Sequence, residues 1–318
     1  MQTNIRQAAL DLGYVEAASV TGHPFKIWRE RLSSLPLGAH MSFDHDPAQA
    51  SGWPREEITI WIAYVPTPPL NEYPAGYGCI GTHYVCSARD QKRRIDLQKA
   101  VRRLGYEVAG GITLPERAAA IRAGLGVHSL MGPLITPHYG SFVSLALLLI
   151  HAKPPAEARG PEFDLSPGCS ACGACIAACP TKAISANGVN ALLCLRNYIR
   201  WPETLPEEDY AKMQRRIQGC DTCQQACPHN AALPRINPPE DLVACLDIEQ
   251  LLVAPDIAAI SRYVSANYIR ASMVQTQAMF AAVSTERRDL VPQIAKLTNS
   301  EDATQAKIAR WAVEKLTE

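Results

Sequence analysis

Eleven cysteines stand among the 318 residues, and seven of them fall into two tight runs. Cys169, Cys172, Cys175 and Cys179 form C-x2-C-x2-C-x3-C, followed directly by Pro180. That is the spacing of the bacterial ferredoxin run, in which three thiolates hold one [4Fe–4S] cube and the fourth reaches a second. Thiolates are soft anionic donors suited to iron, and two-residue gaps let one loop wrap three corners of a cube. Zinc is the competing ion, but its thiolate sites usually pair one C-x2-C with a distant second pair. Cys220, Cys223 and Cys227, followed by Pro228, repeat the run one ligand short, because Ile217 occupies the place of the first cysteine. Cys194 is the single cysteine between the runs. With it included the count closes: Cys169, Cys172, Cys175 and Cys227 for one cluster, and Cys179, Cys194, Cys220 and Cys223 for the other.

Cys79, Cys86 and Cys245 remain, and each reads as a small buried hydrophobe. Cys79 and Cys86 lie in a loop-like stretch, YGCIGTHYVC, which leaves an active-site thiol open there. The eight histidines are scattered, with no i, i+4 pair of the zinc-protease kind. His128, His138 and His229 sit in motif-like loops and read first as ordinary hydrogen-bonded side chains. No phosphate-binding G-x-x-x-x-G-K-[ST] and no G-x-S-x-G occurs, so P-loop nucleotide and serine-hydrolase chemistry lose their usual support. Two cubes by themselves move single electrons, so the long segment ahead of them implies a second cofactor or a substrate pocket.

The elements that must position these residues follow from pattern. Thr3 to Leu12 reads as a helix stopped by Gly13, and Ile58 to Val65 as a buried strand closed by Pro66, Pro68 and Pro69. Ala88 to Leu104 reads as a charged surface helix, and Tyr106 to Ile112 as a short strand. Pro115 opens a helix to Ala123 that Gly124 ends; Ser141 to His151 reads as a second buried strand. Lys153 to Pro167 holds four prolines and no period, which marks a linker. Beyond the cysteines the chain is helical: Leu290, Val291, Ile294 and Leu297 share one face, and Ile308, Trp311, Ala312 and Leu316 another, with Thr298 or Ser300 as the cap between them. The expected class is α+β, in three parts: a mixed α/β domain over 1–165, a double-cluster ferredoxin-like segment over 166–233, and a small helical-repeat (HEAT-like) tail over 234–318.

Composition sets outer limits. A hydrophobic fraction of 47% rules out disorder. Thirty-one basic residues balance 31 acidic ones, a poor match for a non-specific polyanion binder. No apolar run is long enough to span a bilayer, and Met1 to Val20 has no basic region followed by an apolar one, so no membrane association and a cytoplasmic location are expected. In that compartment thiols stay reduced, which favours metal binding over disulfides.

The run CSACGACIAACPT over 169–181, then Cys194, then GCDTCQQACPHN over 219–230, resembles the double-cluster segment of the epoxyqueuosine reductases, which are related to reductive dehalogenases. Pro115-Glu116-Arg117 and RAGLG over 122–126 resemble the stretch that helps form their corrinoid pocket, and LITPHYG over 134–140 is closer to the dehalogenase side. The C-terminal helices resemble the helical-repeat tail of the reductases. The resemblance implies a cobalamin- and iron–sulfur-dependent oxidoreductase. A ferredoxin or flavodoxin-type donor would feed two [4Fe–4S] clusters, which pass electrons to base-off cobalamin acting on a small-molecule or tRNA-borne substrate. It places Arg117, Gly124, Gly126, Ser129 and Tyr139 around the corrinoid. Gly110 stands where those enzymes carry an aspartate as presumed proton donor, and Gly126 to Gly132 departs from their motif. The implied proton donors are therefore Tyr139 or His128. The segment from Cys245 onward carries no basic surplus, so no strong nucleic-acid signature accompanies the resemblance. A reductive dehalogenase-like enzyme and a non-enzymatic electron carrier to a partner corrinoid protein are the other readings.

Overall fold

The computed structural model describes residues 3–35, 43–160 and 168–318. Chain order gives helix α1 (Thr3–Asp11), strand β1 (Glu16–Thr21), helix α2 (Lys26–Ser33), strands β2 (Ile58–Pro66) and β3 (Cys79–Ile80), and the long helix α3 (Thr82–Arg103). Strand β4 (Glu107–Val108), helix α4 (Glu116–Arg122) and strand β5 (Val143–His151) complete the first part.

Four strands form one antiparallel sheet in the order β1-β2-β5-β4. Eight of the nine residues of β2 are buried, because the strand is central and both faces are covered. Side chains alternate across a strand, and the two cores follow that alternation. Ile58, Ile60, Ile62 and Tyr64 pack with Phe25, Trp28 and the alanines of α4; Trp61, Ala63 and Val65 pack with Ile5, Leu97 and Val101 of α1 and α3. The sheet is thus a middle layer between α2/α4 and α1/α3.

Several sequence expectations need correction. The stretch from Cys79 to Cys86 is no loop: Cys79 lies in β3, which pairs in parallel with Arg216–Gln218, and Cys86 lies inside α3. That helix starts six residues before Ala88 because its first N–H has a distant acceptor. Asp221 of the second cysteine run takes the Thr82 N–H at 2.6 Å, satisfying an orphan donor of the helix end. The strand expected over 106–112 shrinks to two residues, after which the chain turns at Gly111 with φ of +73°. The expected linker lies partly outside the described residues, and its residue Arg159 is no free connector: its N–H donates to the Ser19 carbonyl and its carbonyl accepts from Thr21, along the edge of β1. The cap of the last helix (Ala303–Thr317) is neither Thr298 nor Ser300 but Asp302, whose carboxylate accepts from the Thr304 and Gln305 N–H groups.

The C-terminal helices bury the faces expected of them, with Leu290, Ile294, Ile308 and Ala312 fully enclosed. Their core also contains Ile80, Tyr84 and Val85 of the first part and Leu195, Tyr198 and Ile217 from among the cysteine runs. The tail is therefore packed onto the cysteine segment through one continuous apolar core. Among the described residues, no helix is long and apolar enough to cross a membrane.

Candidate iron–sulfur and cofactor site

Pro115 opens α4 and Gly124, with φ of +73°, ends it. The chain then makes a narrow hairpin: Val127 and Ile135 exchange both backbone hydrogen bonds, at 2.9 and 3.0 Å. Gly126 is required here, since a Cβ would lie 2.4 Å from the Ile135 carbonyl oxygen. The first cysteine run docks directly on this hairpin. Gly168 donates to the His128 carbonyl at 3.0 Å, and a Cβ on Gly168 would meet Val127 at 2.3 Å.

Between hairpin and cysteines lies an open recess lined by Ser129, Leu130, Met131 and Ile135 on one side and by Cys169, Cys172, Cys175 and Cys227 on the other, with His229 at its edge. The eight thiols divide into two neighbourhoods. Burial raises the Cys175 and Cys227 thiols; Cys227 and Cys169 repel the charge on Cys175, while Cys172 and Cys169 repel that on Cys227. In the other neighbourhood burial raises Cys194 and Cys223, with Cys220 and Cys179 adding to both and Cys194 to Cys223. Among the described residues, no three histidine, cysteine or acidic side chains close on a point as a single metal ion would require. The first set instead lines the open volume of the recess. The donor chemistry, eight thiols with the one adjacent carboxylate, Asp221, engaged by the Thr82 N–H, suits iron–sulfur cubes.

The hairpin gathers some of the expected site residues and not others. Arg117 donates to the Gly132 carbonyl at 2.8 Å and holds its guanidinium 5.9 Å from the Trp28 ring. His128, 6% exposed, meets Trp28 edge-on at 6.1 Å. Ser129 is buried and spends its hydroxyl on the Pro133 carbonyl. Tyr139 stands apart from these, half-buried in the core of the sheet with its ring 6.2 Å from that of Tyr64. Gly124 lies against the Arg159 side chain, and Gly110 is exposed with open space around it. His138 is also exposed.

His128 is not the near-neutral titrating group expected of a histidine. Burial first, then the charges of Arg31 and Arg117, push it down to about 4, so its ring is neutral at pH 7. Its Nε2 and the nearby Trp28 Nε1 are buried with no hydrogen-bond partner among the described residues, a costly state that marks polar atoms awaiting one. Trp28 and Arg31 of α2 were not legible as site residues; nothing in their spacing points to the hairpin a hundred residues on.

The cysteine loops are held by a polar clamp. Asn230, 6% exposed, accepts from the Ser141 N–H at 2.8 Å and donates to the Ser141 hydroxyl and the Gln224 carbonyl at 2.9 and 2.6 Å. Gln224 returns a bond to Ser141 at 3.0 Å. The clamp ties the loop after Cys227 to the entrance of β5. Outside the sets, Cys79 donates to the Arg215 carbonyl and Cys245 to that of Asp241, both at 3.1 Å, and burial pushes Cys79 and Cys86 up to about 11. All three are part-buried rather than fully buried, and the raised Cys79 and Cys86 thiols make poor nucleophiles at neutral pH.

Comparison with known proteins agrees with this layout. Residues 168–230 match the family model of the 4Fe-4S double cluster binding domain, so this segment binds two [4Fe–4S] clusters. An epoxyqueuosine reductase of Bacillus subtilis (strain 168) is 30% identical over 212 residues, covering 64% of this chain and 53% of the relative. One from Lactococcus garvieae (strain Lg2) is 25% identical over 346 residues, covering 99% and 96%. The chain thus spans about half the length of the first relative and nearly all of the second. Crystal structures share the fold: an epoxyqueuosine reductase from Bacillus subtilis superposes with a TM-score of 0.83 at 22% identity, covering 99% of this chain and 90% of that one. An epoxyqueuosine reductase holding an epoxyqueuosine-modified tRNA stem loop superposes with a TM-score of 0.84 at 21% identity, covering 100% and 90%.

Proposed function

We propose, from the premise that this chain is epoxyqueuosine reductase-like, that it is a cytoplasmic oxidoreductase using two [4Fe–4S] clusters and cobalamin. Cys169, Cys172, Cys175 and Cys227 hold one cluster, and Cys179, Cys194, Cys220 and Cys223 the other. The observation that carries this reading is the recess where the first thiol set faces the 129–135 hairpin. Electrons leaving that set enter the part of the chain where a second cofactor would sit.

The residues present fit a corrinoid, a large amide-rimmed group. The unpartnered Nε2 of His128 and Nε1 of Trp28 offer buried polar atoms, and Arg117 is held beside them by Gly132. Gly124, Gly126 and Ser129 keep the hairpin narrow enough to present them. When bound, cobalamin supplies a strongly reducing cobalt centre for two-electron reduction of the substrate. His128, neutral at pH 7, orients by accepting or donating one hydrogen bond and does not deliver a proton as an imidazolium. Tyr139, whose ring packs beside Tyr64 apart from the hairpin residues, is the remaining candidate to offer a hydrogen to a developing anion. The substrate is small or tRNA-borne. Gly110, where the resemblance implies a carboxylate, has open space around it, so the chain itself offers no acid at that position to protonate a leaving group.

Corrinoid and iron analysis of anaerobically purified protein tests the reading. Eight irons and one base-off corrinoid per chain are expected, with the corrinoid lost in Arg117→Ala. Eight irons with no corrinoid uptake by the wild type would favour the electron-carrier reading instead.

A further inference from the structure

The chain has zero net charge, yet one helix is strongly basic. Between Arg89 and Arg103, α3 carries seven arginines and lysines against Asp90 and Asp96 alone. Local pairing cannot absorb the surplus. Asp90 is shared by Arg89 and Arg93, and Asp96 by Lys92 and Lys99, so two carboxylates serve four cations. The side chain of Lys92 is 81% exposed, and Ile95, 41% exposed, sits as an apolar spot among the charges. Exposed apolar surface rimmed by charge of one sign is the make-up of a steered docking face.

The position of this helix gives the face a purpose. Its N-terminal turn is anchored in the second thiol set: Asp221, between Cys220 and Cys223, takes the Thr82 N–H, and Tyr84 packs on Gly219, where a Cβ would lie 2.4 Å from the ring. Arg196, two residues after Cys194, donates to the Tyr84 hydroxyl at 2.7 Å, and the exposed Leu192 and Leu193 precede that cysteine. From Thr82 to Lys92 the helix rises about 15 Å at 1.5 Å per residue. The recess lined by the other thiol set lies against the 129–135 hairpin, the side on which the second cofactor is expected. The basic stretch of α3 thus begins at Arg89, about 10 Å along the helix from the turn that is tied to the second thiol set.

We propose that the basic face of α3, with Arg196 and the Leu192–Leu193 pair, is where a small acidic one-electron donor protein docks and reduces the cluster of Cys179, Cys194, Cys220 and Cys223. This rests on the proposed function above. Each encounter moves one electron: the donor's reduced flavin or iron centre loses it, and the cluster goes from the 2+ to the 1+ state, with no proton or bond change. The face has no aromatic residue from Val85 to Gly105 on which bases could stack, so it is poorly made for single-stranded RNA.

The test uses reconstituted full-length protein and a flavodoxin as probe. Affinity for oxidised flavodoxin and the rate of cluster bleaching by reduced flavodoxin are measured at low and high salt. The variant Lys92→Ala, Lys99→Ala, Arg103→Ala keeps good helix formers, and its fold and iron content are checked first. It should bind flavodoxin at least about tenfold more weakly at low salt and bleach correspondingly slowly, with dithionite reduction unchanged. Lys296→Ala, an exposed change on the far helical part, should alter neither. Unchanged affinity in the triple variant, or equal weakening by Lys296→Ala, would overturn the docking face. So would loss of binding to an RNA stem loop with flavodoxin affinity intact, which would assign the face to nucleic acid. Absence of corrinoid from the wild type would sink the proposed function and leave the flavodoxin affinities, which report docking alone, standing.

Discussion

Asn230 and Gly140 meet where the second cysteine run touches the sheet, and their coupling can be worked out in advance. Asn230→Ala removes three hydrogen bonds to Ser141 and Gln224, at about 1 kcal/mol each, or about 3 kcal/mol in all. Gly140 has φ of +49°, and a Cβ there would lie 2.0 Å from the Asn230 Oδ1. Gly140→Ala therefore carries about 1 kcal/mol for a left-handed alanine and expels the Asn230 side chain, for about 4 kcal/mol together. Once Asn230 is gone the added methyl still meets the His229 carbonyl oxygen at 2.8 Å, so the double variant should cost more than about 4 kcal/mol but less than the additive sum of about 7 kcal/mol. Urea unfolding of the four proteins, reconstituted anaerobically and followed by circular dichroism, reads these differences, with iron retention as a second readout. Additive costs, or a loss below about 0.5 kcal/mol for Asn230→Ala, would refute the clamp. Both single variants should also release iron faster, since the clamp follows Cys227 by three residues.

Cys194→Ala should remove one cluster and leave the other, halving the iron; unchanged iron content would strike Cys194 from the ligand set. Tyr139→Phe should slow single turnover at least about tenfold, equivalent to about 1.4 kcal/mol of barrier, with corrinoid affinity unchanged; equal rates would end its role as proton donor. His128, held at about 4 by burial against about 6.5 unfolded, binds its proton more readily in the unfolded chain. Stability should therefore fall as pH drops below about 6.5, by about 2 kcal/mol at pH 5. His128→Gln should flatten that part of the profile, and an identical pH dependence in the variant would contradict the assignment.

The sequence by itself determined the cofactor class and much of the local structure. Thiolate spacing is a short-range property: three residues two apart can wrap a cube whatever the rest of the chain does, so the 168–230 segment was legible at once. The central strand β2 and the turn of α4 into Gly124 were legible for the same reason, being local patterns of apolar period and glycine position. Tertiary structure alone decided the contacts that cross the chain. The start of α3 depends on a carboxylate 139 positions away, which no local cap rule can foresee. The neutrality of His128 depends on burial beside Trp28, a hundred residues earlier. The surplus on α3 was visible as a charged surface helix, but only its anchoring at Gly219 and Asp221 places that charge beside a cluster. Ligand identity is written in spacing, whereas pKa, capping and docking depend on which distant groups the fold brings within a few ångströms.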